Sequence, residues 1–218
     1  MRRLHYPTPG PTETATGRAA PRIDDRDEDY DAVLVCTNTP SAERLLATLP
    51  PQPGSTEWLQ RLSAFDHAPI ATFTVELEHA WRASAPMLLL REDRSRHHFG
   101  QWLFQGQDSA RRLLHVVVSD ADALARVDRQ TAVQGMMAQL QEQLQGQGLP
   151  TIVRNALIVE KRATFLAMPG LYRPGHGTPW RGVWVAGDWT DTGYPAVLEG
   201  AVRSGRDAVL AMHAGLDS

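Results

Sequence analysis

The sequence predicts a mixed α/β fold that combines a small parallel layer with an antiparallel sheet and a long amphipathic helix. Two short apolar runs, residues 30–36 and 183–186, each lead through a turn into a helix, which is typical of strands buried in a parallel sheet. Between them, residues 70–78 alternate apolar and polar side chains, as a strand with one exposed face does. Because strand-turn-helix segments flank an alternating region, we expect two structural parts.

Composition and charge exclude several classes of protein. The 218 residues carry 22 Lys plus Arg against 25 Asp plus Glu, so the net charge of −3 leaves no cationic excess for a nucleic-acid partner. The single cysteine, Cys36, cannot form an internal disulfide, and no His or Cys spacing typical of a metal site occurs. No apolar run approaches the roughly 18 residues of a membrane span. We therefore predict a cytoplasmic protein without a bound metal.

The first part begins with a polar segment and continues into the first strand. Residues 1–29 are rich in Pro, Thr, Gly and charges, and we predict a disordered leader because they cannot bury enough apolar surface to offset the entropy of ordering. After the strand, residues 37–40 form a turn. A short helix over 42–49 is expected to be capped by Ser41 and ended by Pro50.

The middle of the chain predicts a meander covered by a helix. Further strand candidates, separated by polar turns, are residues 87–90, 98–105 and 113–119. Apolar residues then recur at helical spacing from Leu124 to Leu144, with Asp122 as a cap and Gly146 and Gly148 at the end. We expect this long helix to cover one face of the antiparallel sheet.

The residues most suited to binding a ligand lie in the segment 183–212. A strand, Gly187-Asp188, a glycine-containing loop and a helix follow in the order that builds a site at the carboxyl edge of an open α/β sheet. Gly187 lets the backbone approach a ligand closely, and Asp188 can accept hydrogen bonds from hydroxyl groups. Pro195 suits the first turn of the helix, whose N–H groups would face a carbonyl or an anion. A tight turn capped by Asp188 is the alternative that needs no ligand.

Residues 183–206 resemble the carboxyl-terminal flavin signature of the squalene-associated FAD-dependent desaturases, which belong to the amine oxidase and phytoene desaturase superfamily. Residues 161–165, 30–40 and 69–70 are similar to the same family in order and spacing, so the resemblance spans residues 30–212. Members act on C30 isoprenoids and include hydroxysqualene dehydroxylases, which make squalene for hopanoid synthesis. Relatives desaturate carotenoid precursors.

The resemblance implies FAD as the cofactor and gives roles to the loop residues. Gly187 and Asp188 would lie against the pyrophosphate and the ribityl chain, with Asp188 accepting a hydrogen bond from a ribityl hydroxyl. Thr37 would lie in a turn that passes near the dinucleotide. The residues that would line the isoalloxazine ring are Thr192, Gly193, Pro195 and Ala196. No catalytic residue is assigned by the resemblance.

The resemblance also implies a division of the chain. Residues 30–55 and 165–213 would be the carboxyl-terminal part of a Rossmann-like FAD-binding layer, and residues 56–164 would be a substrate-binding lobe. The apolar sheet face of that lobe suits a long isoprenoid substrate. Candidates for lining a substrate tunnel are Phe73, Trp102 and Phe104, although ordinary core packing explains these aromatic residues as well.

One motif of the family is missing from this sequence. The family opens with a strand, a Gly-x-Gly-x-x-Gly turn and a helix, and none of the 17 glycines forms that motif here. The resemblance therefore covers only the carboxyl-terminal portion of the family. One hypothesis is an FAD-dependent oxidoreductase completed by a separately encoded amino-terminal half, with peripheral membrane contact for its lipid substrate. The alternative is a non-catalytic fragment or an apolar-ligand-binding module that cannot hold FAD alone.

Overall fold

The computed structural model describes residues 30–106 and 110–216, together with the two-residue strands β1 (Leu4–His5) and β2 (Arg22–Ile23). β1 and β2 pair antiparallel inside the segment for which we expect a disordered leader. The structure differs from that expectation at these residues because their backbones bond to each other. The rest of the expected leader lies outside the described residues.

The described residues that follow form a mixed α/β fold, as predicted. In chain order the elements are β3 (Val33–Val35), α1 (Thr39–Leu46), α2 (Ser55–Ser63), β4 (His67–Leu77), β5 (Met87–Leu89), β6 (Trp102–Gln105), β7 (Leu113–Val118), α3 (Asp122–Ala125), α4 (Arg129–Leu144), β8 (Ile152–Phe165), β9 (Val183–Val185) and α5 (Leu198–Leu216). The chain divides into two units, one of Met1–Asp66 with Phe165–Ser218 and the other of His67–Thr164.

The first unit is built on the parallel pairing of β3 with β9. Val33 lies opposite Val183, and Val35 lies opposite Val185. All four valines are buried, which explains why both strands read as continuous apolar runs. The expectation that the two distant runs belong to one parallel layer is confirmed.

Backbone bonds on the far side of β9 and a cluster of aromatic side chains complete the first unit. On the side of β9 away from β3, Trp184 forms an antiparallel bridge with Gly177, and the Val185 N–H donates to the His176 carbonyl at 2.9 Å. The buried aromatic residues that pack with the strands are Phe65, Phe165, Trp180 and Trp189.

Helix α1 begins three residues earlier than predicted and has a different cap. The Asn38 side-chain oxygen accepts a hydrogen bond from the Ser41 N–H at 3.2 Å, so Asn38, and not Ser41, is the cap. Pro40 then occupies the first turn, where its missing N–H costs nothing. The helix ends at Leu46, before the predicted stop at Pro50.

Helix α2 belongs to the first unit, whereas the predicted lobe begins at residue 56. The structure separates the units after Asp66. Leu62 on α2 and Phe65 just after it are buried in the same cluster as β3 and β9. The sequence pattern did not show this packing, because a short amphipathic helix can cover either of two cores.

The second unit is a five-stranded sheet in the order β5-β6-β7-β4-β8. β5, β6 and β7 are connected as the predicted meander, and β4 pairs antiparallel with β7. Phe73 lies opposite Val116, which lies opposite Leu103, and this row is buried. Met136 and Leu140 of α4 belong to the same core, so the predicted covering of one sheet face is confirmed.

The predicted long helix is interrupted and forms α3 and α4. Asp128 caps α4, because its Oδ1 accepts a hydrogen bond from the Thr131 N–H at 2.9 Å. Asp122 is the first residue of α3 and not its cap. Gly148, with φ of 67°, follows the final turn, as predicted. No helix in residues 30–106 or 110–216 is long and apolar enough to cross a membrane.

Gly135 fixes the distance between α4 and the segment before β6. A Cβ at this position would clash with the His97 carbonyl oxygen and would lie 2.5 Å from the His97 Cβ. We expect Gly135→Ala to lower the free energy of unfolding by about 1–3 kcal/mol, because overpacking outweighs the gain in helix propensity. Urea unfolding followed by circular dichroism measures the change. Gly146→Ala is the control because nothing lies within 4 Å of its Cβ position, and equal stabilities of the two variants would contradict the prediction.

Candidate functional site

The site lies where the chain leaves β9 and turns toward α5. The Ala186 N–H donates to the Val35 carbonyl at 3.0 Å, so the parallel layer extends one residue past β9. The chain leaves the layer at Gly187 and enters α5 at Leu198. We call residues 187–197 the β9–α5 loop. This is the loop for which the sequence predicts a ligand site.

Two buried hydroxyl groups tie the start of the loop to α5. The Gly187 N–H donates to Ser204 Oγ at 2.8 Å, and the Thr190 hydroxyl donates to the Gly187 carbonyl at 2.9 Å. Thr190 Oγ1 and Ser204 Oγ are 2.7 Å apart. Because the Thr190 hydrogen is used by the carbonyl, Ser204 donates to Thr190. The three hydrogen bonds form a closed ring between side chains that are both completely buried.

Trp189 joins the loop to the turn that follows β3. Its indole N–H donates to the Thr37 carbonyl at 2.8 Å, across 152 positions of sequence. The same indole fills the space beside Gly187, where a Cβ would lie 2.6 Å from Trp189 Cδ1. The structure therefore brings Thr37 to the loop, as the predicted site requires. It also shows that packing against Trp189 excludes a side chain at Gly187.

Arg173 donates hydrogen bonds to four residues of the loop. Its Nη1 donates to the Tyr194 carbonyl at 2.5 Å, and its Nη2 donates to the Asp188 carbonyl at 2.5 Å and to Thr192 Oγ1 at 2.9 Å. A longer bond of 3.4 Å joins its Nε to the Trp189 carbonyl. One guanidinium group thus bonds to both ends of the loop segment 188–194.

The surroundings of Arg173 are partly apolar. Its guanidinium lies 5.2 Å from the ring centroid of Phe165, which is buried. Burial lowers the pKa of Arg173 below its ordinary value, and the nearby charges of Asp191 and Asp188 oppose that shift. Arginine remains protonated at any physiological pH, so a positive charge is held beneath the loop.

Arg173 is a residue of the site that was not predicted from the sequence, although one signal for it is present. Arg173 is the only Asp, Glu, Lys or Arg between Arg162 and Arg181, in a connection rich in Pro and Gly. A lone charge in such a segment indicates a specific partner. Its partners are mainly backbone carbonyls, which no side-chain pattern can reveal.

The start of α5 differs from the prediction. Helix α5 begins at Leu198, so Pro195 lies before the helix and not in its first turn. The Tyr194 N–H bonds to Thr192 Oγ1 at 3.2 Å, and the carbonyl of Val197 accepts the Ala201 N–H at 3.2 Å. The hydrogen bonds of α5 therefore begin at the Val197 carbonyl, and the predicted helix amino terminus at Pro195 is wrong.

The predicted cofactor-binding residues lie on the loop and beside it. Six of the seven lie within the β9–α5 loop. Thr37 lies beside the loop, because its carbonyl accepts the hydrogen bond of the Trp189 indole N–H. Gly193, with φ of 71°, is exposed, and no atom lies within 4 Å of its Cβ position. Asp188 is half-buried and Pro195 is exposed. Within the described ranges, no three His, Cys, Asp or Glu side chains are grouped to hold a metal ion.

The three aromatic candidates of the second unit lie on opposite faces of its sheet. Phe73 is completely buried beneath α4, so core packing explains it. Trp102 and Phe104 are half-buried on the other face. That face also holds a hydrogen bond of 3.0 Å between Thr74 Oγ1 and His115 Nδ1.

Comparison with known proteins identifies relatives over parts of the chain. Hydroxysqualene dehydroxylase of Rhodopseudomonas palustris is 55% identical over 62 residues, which are 27% of this chain and 15% of that protein. Hydroxysqualene dehydroxylase of Sinorhizobium fredii is 36% identical over 112 residues, which are 50% of this chain and 25% of that protein. The matched segments thus span a quarter or less of these curated relatives.

Solved structures share the fold at low sequence identity. Cyclohexylamine oxidase from Brevibacterium oxydans superposes with a TM-score of 0.70 at 13% identity, over 99% of this chain and 48% of that chain. A putative protoporphyrinogen oxidase from Exiguobacterium gives a TM-score of 0.60 at 15% identity, over 98% and 46%. The chain therefore spans about half the length of each of these two proteins.

The family model described as "Flavin containing amine oxidoreductase" matches residues 2–213, which includes both strands of the parallel layer, the whole β9–α5 loop and nearly all of α5. With the fold and the relatives in agreement, this chain belongs to the flavin-containing amine oxidoreductase family.

Proposed function

We propose that this chain is the carboxyl-terminal portion of an FAD-dependent oxidoreductase that acts on a C30 isoprenoid, of the hydroxysqualene or carotenoid-precursor type. The observation that carries the proposal is the β9–α5 loop, which is held in one conformation at the carboxyl edge of β3 and β9. The names of the two hydroxysqualene dehydroxylase relatives support the substrate class.

The exposed part of the loop is where FAD would bind. Its inner side is occupied by Arg173, whereas Asp191, Gly193 and Pro195 are exposed and leave the outer side open. Such an open backbone surface suits a flat ring with carbonyl groups. Asp188 would accept a hydrogen bond from a ribityl hydroxyl. A bound flavin supplies the redox chemistry, which is the exchange of a hydride with the substrate.

The outer face of the antiparallel sheet suits a long hydrocarbon. Two rows cross its strands on the face away from α4, and they consist of Leu89, Trp102, Val117 and Thr72, and of Met87, Phe104, His115 and Thr74. Most of these side chains are apolar, and Leu89 is 72% exposed. We propose that this face binds the isoprenoid chain, whose burial would remove the exposed apolar area from water.

The flavin site requires the other half of the fold. Helix α5 exposes an apolar stripe that includes Leu198 at 88%, Val202 at 68% and Leu210 at 63% exposure. We propose that an amino-terminal FAD-binding half, encoded separately or on a longer version of this polypeptide, covers that stripe. The assembly would act in the cytoplasm, with peripheral contact to the membrane that holds its substrate.

Reconstitution tests the proposed function. We expect the purified chain alone to lack flavin absorbance near 450 nm, because the motif that holds the adenosine end of FAD is not in this sequence. Mixed with the amino-terminal half of the Rhodopseudomonas palustris relative and FAD, it should form a yellow complex that stays coloured through gel filtration. Colourless protein in both preparations would contradict the enzyme hypothesis and favour the non-catalytic module.

The role of Asp188 is tested in the same complex. Asp188→Ala should weaken FAD binding ten- to a hundredfold, because the loss of one charge-assisted hydrogen bond costs about 1.5–3 kcal/mol. Titration by flavin fluorescence measures the affinity. Asp191→Ala is the matched control, since it removes an exposed carboxylate three positions along the same loop. Equal affinities of the two variants would remove the assignment of Asp188.

A further inference from the structure

Arg173 bonds to the loop from a segment outside it. Arg173 lies 10 positions before β9 in the connection that follows β8, and its acceptors lie 15 to 21 positions further along the chain. Two acceptors, Asp188 and Trp189, belong to the first part of the loop, which we call its first limb. The other two, Thr192 and Tyr194, belong to the second limb. A single rigid group therefore sets the distance between the limbs.

The bonds of Arg173 are directed almost entirely at neutral groups. None of the ion pairs between described residues involves Arg173. Three of its acceptors are backbone carbonyls and the fourth is a hydroxyl. The hydrogen bonds of this arginine thus go to neutral acceptors, while the charges of Asp191 and Asp188 lie nearby. The planar fork of donors matches several acceptors at once, which a lysine ammonium cannot do from one point.

The segment that carries Arg173 is itself fixed. The Asp191 N–H donates to the carbonyl of Pro174 at 2.8 Å, so the loop bonds back to the residue next to Arg173. Pro174 is buried, and the guanidinium lies over the buried ring of Phe165. The segment that carries Arg173 is therefore fixed by its contacts with the core, and from this position the guanidinium bonds to the loop.

From this geometry we propose that Arg173 is the positioning residue of the flavin loop, where one guanidinium fixes both limbs in the conformation that receives the isoalloxazine ring. The inference rests on the proposed function, because it assigns the loop to the flavin. Arg173 acts through Thr192 and the backbone of Asp188 and Tyr194, and it does not itself bond to substrate.

Loop mobility in the chain without FAD is the first measurement. Hydrogen exchange should show faster exchange of the 188–194 amides in Arg173→Ala, by tenfold or more, with a smaller increase in Arg173→Lys. Millimolar guanidinium chloride, compared with sodium chloride at the same ionic strength, should restore protection in Arg173→Ala by filling the vacated space. Circular dichroism shows whether each variant is folded.

Thr178→Val is the matched control. Thr178 donates to the carbonyl of Val183 at 2.7 Å and organises the same connection without bonding to the loop. In Thr178→Val the hydrogen exchange of the 188–194 amides should be the same as in the wild type, and added guanidinium should not change it. Equal loop exchange in Arg173→Ala and the wild type would overturn the inference. Faster loop exchange in Arg173→Ala and in Thr178→Val, without rescue by guanidinium, would also overturn the inference. The arginine would then be only one of several structural contacts.

FAD affinity in the reconstituted complex is the second measurement. It should fall ten- to a hundredfold in Arg173→Ala and recover with guanidinium, and Thr178→Val should bind FAD as the wild type does. Unchanged affinity in Arg173→Ala would overturn the positioning role. The two proposals fail separately, since a wild-type complex that binds no FAD contradicts the proposed function, whereas loop exchange is measured without FAD.

Discussion

The parallel pairing of β3 with β9 is the constraint on which the first unit depends. Each strand has only three residues, and the two are far apart in sequence, so neither could form a sheet locally. Their pairing places the turn at Thr37 beside the loop that follows β9. Only then can Trp189 bond to the Thr37 carbonyl and pack against Gly187. The geometry of the loop is thus a consequence of a long-range strand pair.

The loop itself is specified by side chains, because it has few regular backbone bonds of its own. Ser204 and Thr190 cost free energy when buried, but each hydroxyl is satisfied, and their ring holds the first loop residue against α5. Arg173 bonds to three further carbonyls of the loop, those of Asp188, Trp189 and Tyr194. A loop fixed in this way keeps its open surface in a defined shape, which lowers the entropy that a bound flavin would otherwise have to remove.

The sequence predicts the elements of this fold better than their ends. The alternation in β4 predicts which of its faces is buried, and the apolar runs predict that β3 and β9 are buried strands. The structure confirms both predictions. The ends depend on single side chains, so Asn38 starts α1 and Asp128 restarts the predicted long helix as α4. The candidate site shows the same difference between what a pattern predicts and what single side chains decide. A motif located the loop, whereas Arg173 was missed because carbonyl acceptors leave no trace in a sequence.

Helix α5 carries both a residue of the loop's hydrogen-bond ring and an exposed apolar surface. Its small residues Gly200, Ser204 and Ala208 are buried within the first unit. Its exposed surface carries Leu198, Val202 and Leu210 alongside charged residues, among them the ion pair of Arg203 with Glu199. Large apolar side chains that are clustered on an exposed surface are typical of a contact site for another protein. Ser204, which closes the hydrogen-bond ring of the loop, therefore lies on the same helix as the apolar surface that the proposed amino-terminal half would cover.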